Sequence, residues 1–270
     1  METQHWTVTG ARTLDVDGVS ALHAAINRGR LDIITHDEPT TRIEVSELSG
    51  ESLEITVDNG VLSIGRPEQT GWLGMVGLTS QRAVVSIAVP AGIDVSASTV
   101  SGDGLVCGTS KTTSLKTVSG SIMADDTEGA LQMDAVSGEI IARFHSGPLV
   151  AKSVSGELTA SGFLSDIRAT TVSGDLSFDL LGDCRDIVST SVSGDVSIRV
   201  PYGTGIELDA KTTSGAVMLG EQRFTGTAQT VHTTVGPQES PLRIRSGSVS
   251  GTISVVHRSE RPVRAEGAVK

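Results

Sequence analysis

The residues with the clearest capacity for chemistry are carboxylates that recur at one position of a repeat. Taking the serine of each Val-Ser-Gly (Thr-Ser-Gly at Thr213) as position zero, the residues two places on are Asp103, Ser121, Glu139, Glu157, Asp175, Asp195, Ala216 and Thr252. Glu139, Glu157, Asp175 and Asp195 are consecutive in this series. If neighbouring repeats stack as β-strands, such carboxylates stand about 5 Å apart. That separation is also found between the two carboxylates of a retaining glycosidase, and clustered carboxylate oxygens suit a hard divalent cation. Any acid repeated once per turn of a stack acquires the same spacing for free, however, and an acid on a water-facing turn accounts for it. The Gly-rich nonapeptide G-G-x-G-x-D of calcium-binding β-rolls is absent. No catalytic residue and no metal ligand is therefore assigned, and the stripe Glu139, Glu157, Asp175, Asp195 is kept as the one alternative cation site.

The remaining reactive side chains form no constellation. His5, His23, His36, His145, His232 and His257 show neither H-x-H nor H-E-x-x-H spacing. There is no P-loop and no G-x-G-x-x-G leading into a helix, so no cofactor is expected. The serine of the repeat does not sit in G-x-S-x-G and has no recurring histidine beside it, which makes it structural rather than nucleophilic. Cys107 and Cys184 lie in different repeats and read as small buried hydrophobes in a reducing compartment rather than as a disulfide.

The elements that carry these side chains follow from the repeat itself. The serines fall at 101, 119, 137, 155, 173, 193, 214 and 250, at intervals of 18, 18, 18, 18, 20, 21 and 36. A fixed period of this size signals a stacked repeat architecture. The last interval leaves room for a degenerate repeat across Glu221–Pro241. Aliphatic columns stand three places on (Ile122, Ile140, Leu158, Leu176, Val196, Val217, Ile253) and five places on (Ala124, Ala142, Ala160, Phe178, Ile198, Leu219). A third column lies one place before the serine (Val118, Val136, Val154, Val172), and a fourth six before the next (Leu131, Leu149, Ile167, Ile187). Each repeat thus reads as two short strands with period-two alternation, separated by Gly-containing turns. The expected fold is all-β, a single-stranded β-solenoid of about eight coils of ~18 residues, all four columns facing the interior. Growth of the five-on residue from alanine to Phe178, Ile198 and Leu219 predicts an interior that widens toward the C-terminal coils. The period fits a three-sided prism or a flattened two-sheet stack.

Residues 1–98 lack the Ser-Gly register and are expected to form a β-rich capping and lead-in region continuous with the solenoid of residues 99–257, followed by a flexible tail at 258–270. LEITVDNGVLSIGR is a hairpin signal around Asn59-Gly60, and GVSALHAAINRGRLDIITHD reads as an early, imperfect coil in which Ala24-Ala25 also permits a short helix. RPEQTGWLGMVGLTSQ places Trp72, Leu73, Met75, Val76 and Leu78 between two strands. Those five side chains either plug the end of the core or contact a partner, a membrane surface being the less favoured choice.

Composition excludes several classes. The net charge of −11 argues against phosphate-backbone binding, which needs clustered Lys and Arg. Aromatics make up only 3%, too few for a sugar cleft or base-stacking platform. The first residues, METQHWTVTGARTLDVDG, have no basic flank followed by an apolar run, and no transmembrane segment is expected.

The T-V-S-G-[DE]-aliphatic repeats, together with the upstream VVSIAVPAGIDVSASTVSGDG, resemble the bacterial β-strand-repeat family of unknown function whose members are labelled adhesins. The opening METQHWTVTGARTLDVDGV is similar to its actinobacterial-type members. The resemblance implies a β-solenoid and, through the adhesin label, a surface location, but offers no catalytic residues. The expectation is a non-enzymatic scaffold or interaction protein in the cytoplasm, working through an unknown protein partner or self-association. A surface adhesin exported without a classical signal and a bactofilin-like polymer-forming protein are the alternatives.

Overall fold

The computed structural model describes residues 3–65 and 81–259. Their regular elements are strands, twenty in chain order. The first eight are β1 (Gln4–Val8), β2 (Arg12–Val16), β3 (Ala21–His36), β4 (Thr41–Ser49), β5 (Leu53–Asp58), β6 (Val61–Ile64), β7 (Arg82–Pro90) and β8 (Asp94–Cys107). The repeats supply β9 (Thr113–Ser119), β10 (Ile122–Asp125), β11 (Leu131–Ser137), β12 (Ile140–Ser155), β13 (Leu158–Ser173), β14 (Leu176–Leu180), β15 (Asp186–Ser193) and β16 (Val196–Val200). The last four are β17 (Ile206–Leu219), β18 (Gln222–Val235), β19 (Leu242–Ser250) and β20 (Ile253–His257).

Each repeat crosses two hydrogen-bonded walls that enclose one core. In the first wall β8, β9, β11, the second half of β12, the second half of β13, and β15 pair in parallel, Leu131 on Leu149 and Ile167 on Ile187. In the second wall β8, β10 and the starts of β12 and β13 pair in parallel and lead on to β14 and β16. Ile122, Ile140, Leu158, Leu176 and Val196 stack there in one column and are at most 1% exposed. The five-on column stacks beside it, with Ala124, Ala142 and Ala160 giving way to Phe178 and Ile198, all enclosed.

Among the described residues the expected β-character holds, but the expected single-stranded solenoid does not. All twenty strands belong to one sheet, which closes on itself about the shared core and carries extra antiparallel strands at both ends. The rungs also depart from chain order. β19 and β20 insert between β15/β16 and β17, pairing in parallel with both. β17 then pairs with β18 as an antiparallel hairpin, Ile206 opposite Val235 and Leu219 opposite Gln222. The segment read as a degenerate repeat is therefore the returning arm of a hairpin, and a reversed strand cannot carry the Ser-Gly register. At the other end β3 lies between β8 and the pair β6 and β7, as a strand throughout and with no helix at Ala24-Ala25. Beyond it, β5 and β1 extend one wall and β4 and β2 the other, all antiparallel. Asn59 and Gly60 make the expected turn between β5 and β6, both with positive φ.

A second correction concerns the valine before each serine. It is not in the core: Val154, Val172, Val192 and Val249 are 46–50% exposed, and Val100, Val118 and Val136 are half-buried. The inward residue is the small one preceding it, namely Thr99, Thr117, Ala135, Ser153, Thr171 and Ser191. Hydrophobicity ranks valine above threonine, but four of these five buried hydroxyls have a partner, that of Thr171 being the exception. Thr99 Oγ1 donates to the carbonyl of Gly102 at 2.8 Å, and Ser153 and Ser191 donate to Gly156 and Gly194 at 3.4 Å. A satisfied hydroxyl inside costs little, and strand alternation then turns the next side chain outward. The glycine is obligatory because corners stack backbone on backbone: at Gly120, with φ +134°, a Cβ would lie 2.3 Å from the Gly102 oxygen.

Candidate functional site

The corner formed by T-V-S-G is the most regular exposed feature of the molecule. Serine stacks on serine from rung to rung, Ser137 on Ser155, Ser155 on Ser173, Ser173 on Ser193 and Ser193 on Ser250. Val154, Val172, Val192 and Val249 therefore occupy four successive rungs, about 4.8 Å apart, and form an aliphatic ridge. The exposed serines and the acids two places after them flank it.

Those acids are largely engaged in structure. Asp103 Oδ1 accepts the Ser121 amide at 3.1 Å, Asp175 Oδ1 accepts the Asp195 amide at 2.8 Å, and Asp195 Oδ1 accepts the Thr252 amide at 2.7 Å. Each aspartate ties its rung to the next through the amide at its own register. Glu139 and Glu157, one methylene longer, make no such bond in the described set, and Glu157 Oε1 instead accepts the Thr159 hydroxyl at 3.3 Å. Among the described residues no three His, Cys, Asp or Glu side chains are grouped to hold a metal ion. Trp72, Leu73, Met75, Val76 and Leu78 lie outside the described residues; the strands that bracket them, β6 and β7, stand in opposite walls.

The opposite corner holds features that the repeat count missed. Gly108, Asp126 and Phe144 recur at the period with φ of 80°, 51° and 51°. Glycine and aspartate suit this left-handed position, whereas a phenylalanine there is strained. Phe144 is also 63% exposed, and Phe163 and Leu181 in the following rungs are exposed as well. A bulge between Ala142 and His145 turns Phe144 out and His145 in. The His145 ring is enclosed, Nδ1 lying 2.9 Å from both the hydroxyl and the carbonyl of Thr127. Burial pulls its pKa below the ordinary histidine value. The signal in the sequence was Phe144 standing where its period-mates are Gly and Asp.

Two clefts lie where β19 is inserted. One, of about 480 Å³, is bordered by Asp183, Cys184, Arg185, Glu239 and Arg243. The other, of about 290 Å³, is bordered by Glu207, Asp209, His232, Arg243 and Arg245. Their arginines already face carboxylates: Arg185 pairs with Asp166 at 2.5 Å, Arg245 with Asp186 at 2.8 Å, and Arg243 with Glu207 at 3.6 Å. Cys184 is buried, and its thiol is pushed up to about 12 by desolvation, which leaves it protonated and a poor nucleophile. Neither cysteine is in a disulfide.

No helix among the described residues is long and apolar enough to cross a membrane. No curated protein is similar in sequence. Of the solved structures that are similar, a "putative cell adhesion protein" from Clostridium sporogenes is 14% identical, with a TM-score of 0.26, covering 92% of this chain and 100% of its own. A "putative lipid binding protein" from Parabacteroides distasonis is 15% identical, with a TM-score of 0.48, covering 93% of this chain and 97% of its own. The model of the Toastrack DUF4097 family matches residues 24–256, nearly the whole of the repeats and the strands that lead into them, and the chain belongs to that family.

Proposed function

We propose that the chain is a non-enzymatic scaffold that binds a protein partner along the ridge of Val154, Val172, Val192 and Val249. The observation that carries this reading is the exposure of four β-branched aliphatic side chains in four successive rungs. A contiguous apolar row rimmed by polar groups is the usual mark of a contact surface. The groups that suggested chemistry have structural employment: the aspartates hold backbone amides, and His145 is enclosed against Thr127. A cytoplasmic location goes with this reading, and recovery of the protein at the cell surface on fractionation would favour an adhesin instead.

The test is affinity capture from the native host with three baits: wild type, Val172→Ser with Val192→Ser, and a deletion of residues 72–78. The double variant is expected to lose a partner that wild type retains, while its melting temperature is unchanged. Equal recovery of the same partner by wild type and the double variant overturns the ridge reading. Loss only on deletion moves the contact to Trp72, Leu73, Met75, Val76 and Leu78.

A further inference from the structure

β18 ends the sheet on the side away from the N-terminal strands. It pairs with β17 along its whole length and, among the described residues, with no other strand. Most of its 14 residues are exposed. A strand edge of this kind carries a row of unsatisfied amides and carbonyls, and proteins normally blunt it with charge, proline or brevity. β18 does none of these: the sequence QRFTGTAQTVHTTV contains no proline or lysine and a single formal charge, on Arg223. The opposite end is protected. β1 and β2 have five residues each, and their neighbours hold them through His5–Glu54 at 2.7 Å and Asp15–Arg42 at 2.8 Å.

The shape of β18 selects its occupant. The strand runs along the second wall, turns the corner near Gly226 and Ala228, whose φ is +53°, and continues along the first wall. A straight peptide can follow only one wall. A strand that uses the whole edge must bend at the same place, and the same strand in a second copy does so. We propose that two copies of the chain associate end to end through antiparallel β18–β18 pairing about a two-fold axis. With corner set on corner, the wall-two half of each strand lies on the wall-one half of the other. Phe224, half-buried at the end of the core, then shares an inner face with Val231 of the partner subunit, and the two-fold repeats the contact. Thr225 and Thr230, both exposed, meet on the outer face.

Two walls about 10 Å apart, each about seven residues or about 23 Å long and with side chains reaching about 5 Å beyond it, give an end face of about 20 by 23 Å, roughly 500 Å² per copy. A total near 1,000 Å² sits at the lower bound for specific association, so the pairing is weak and concentration-dependent. The contact does not involve the valine ridge, so it stands or falls independently of the scaffold reading.

Sedimentation equilibrium of the full chain, from about 1 to about 200 µM, tests this. The mean mass is expected to rise from monomer to dimer across that range. Thr225→Lys with Thr230→Lys is expected to raise the Kd at least tenfold, whereas Val172→Ser with Val192→Ser leaves it unchanged. Thr225→Cys with Thr230→Cys is expected to give a covalent dimer on mild oxidation, independently of how well the lysine variant folds. A monomer throughout the range, a dimer that persists in the folded lysine variant, or no crosslink in the cysteine variant overturns the proposal.

Discussion

Replacing Gly120 by alanine tests the stacking of the corners directly. A Cβ built on Gly120 lies 2.3 Å from the oxygen and 2.9 Å from the carbon of the Gly102 carbonyl, against ordinary contacts of about 3.5 Å. The obstacle is backbone on both sides, so relief requires the two rungs to part by about 1 Å. That movement strains the neighbouring ladder, where Gly104 donates to Ser121 at 2.9 Å and Gly120 to Ser137 at 3.3 Å. Holding alanine at φ +134° costs about 1–2 kcal/mol. Weakening one or two ladder bonds adds about 0.5–1.5 kcal/mol each. The expected loss is about 2–5 kcal/mol, a fall in melting temperature of roughly 4–20 °C for a chain of this size. Calorimetry or circular-dichroism melting measures it, with Ser119→Ala as the control. Ser119 is exposed at the same corner and should change stability by no more than about 0.5 kcal/mol. A Gly120→Ala protein that melts within about 2 °C of wild type refutes the close approach of the two corners.

Three further outcomes follow from particular side chains. Phe144→Asn should raise stability by about 0.5–1 kcal/mol, because asparagine tolerates the left-handed backbone and the lost ring is exposed; urea titration reads the change. Phe178→Ala should lower it by about 3–5 kcal/mol, since Phe178 is among the largest fully buried side chains and its stacked neighbour Ala160 cannot fill the space. His145 has a folded pKa below its unfolded value, so the unfolded chain binds the proton more tightly. Its contribution is complete above about pH 6.5 and declines as pH falls below that toward the folded value. Melting between about pH 7 and pH 5 should therefore show a smaller loss for His145→Gln than for wild type, and equal slopes would sink that assignment.

The sequence carried the β-character and the register of the repeats. Leu131 stacks on Leu149 and Ile140 on Leu158 at one period, because identical spacing of apolar side chains is what a shared core requires. It also carried the Asn59-Gly60 turn, whose positive φ at both residues few other pairs accept. It did not say which residue of T-V-S-G points inward. Side-chain type alone favours valine, and bonds such as those from Thr99, Ser153 and Ser191 to the glycine carbonyl three places on show why most of these hydroxyls can be enclosed. The placement of β19 and β20 inside the stack was likewise undecided by sequence, since Val196, Val217 and Ile253 are equally good neighbours by type. The choice fell to tertiary geometry. β17 and β18 form a hairpin that must lie at an edge, so the rung with parallel partners on both sides goes between that hairpin and β15/β16. The same hairpin leaves β18 open, and the outward turn of the valines makes the ridge. Both candidate surfaces are consequences of packing that no single repeat contains.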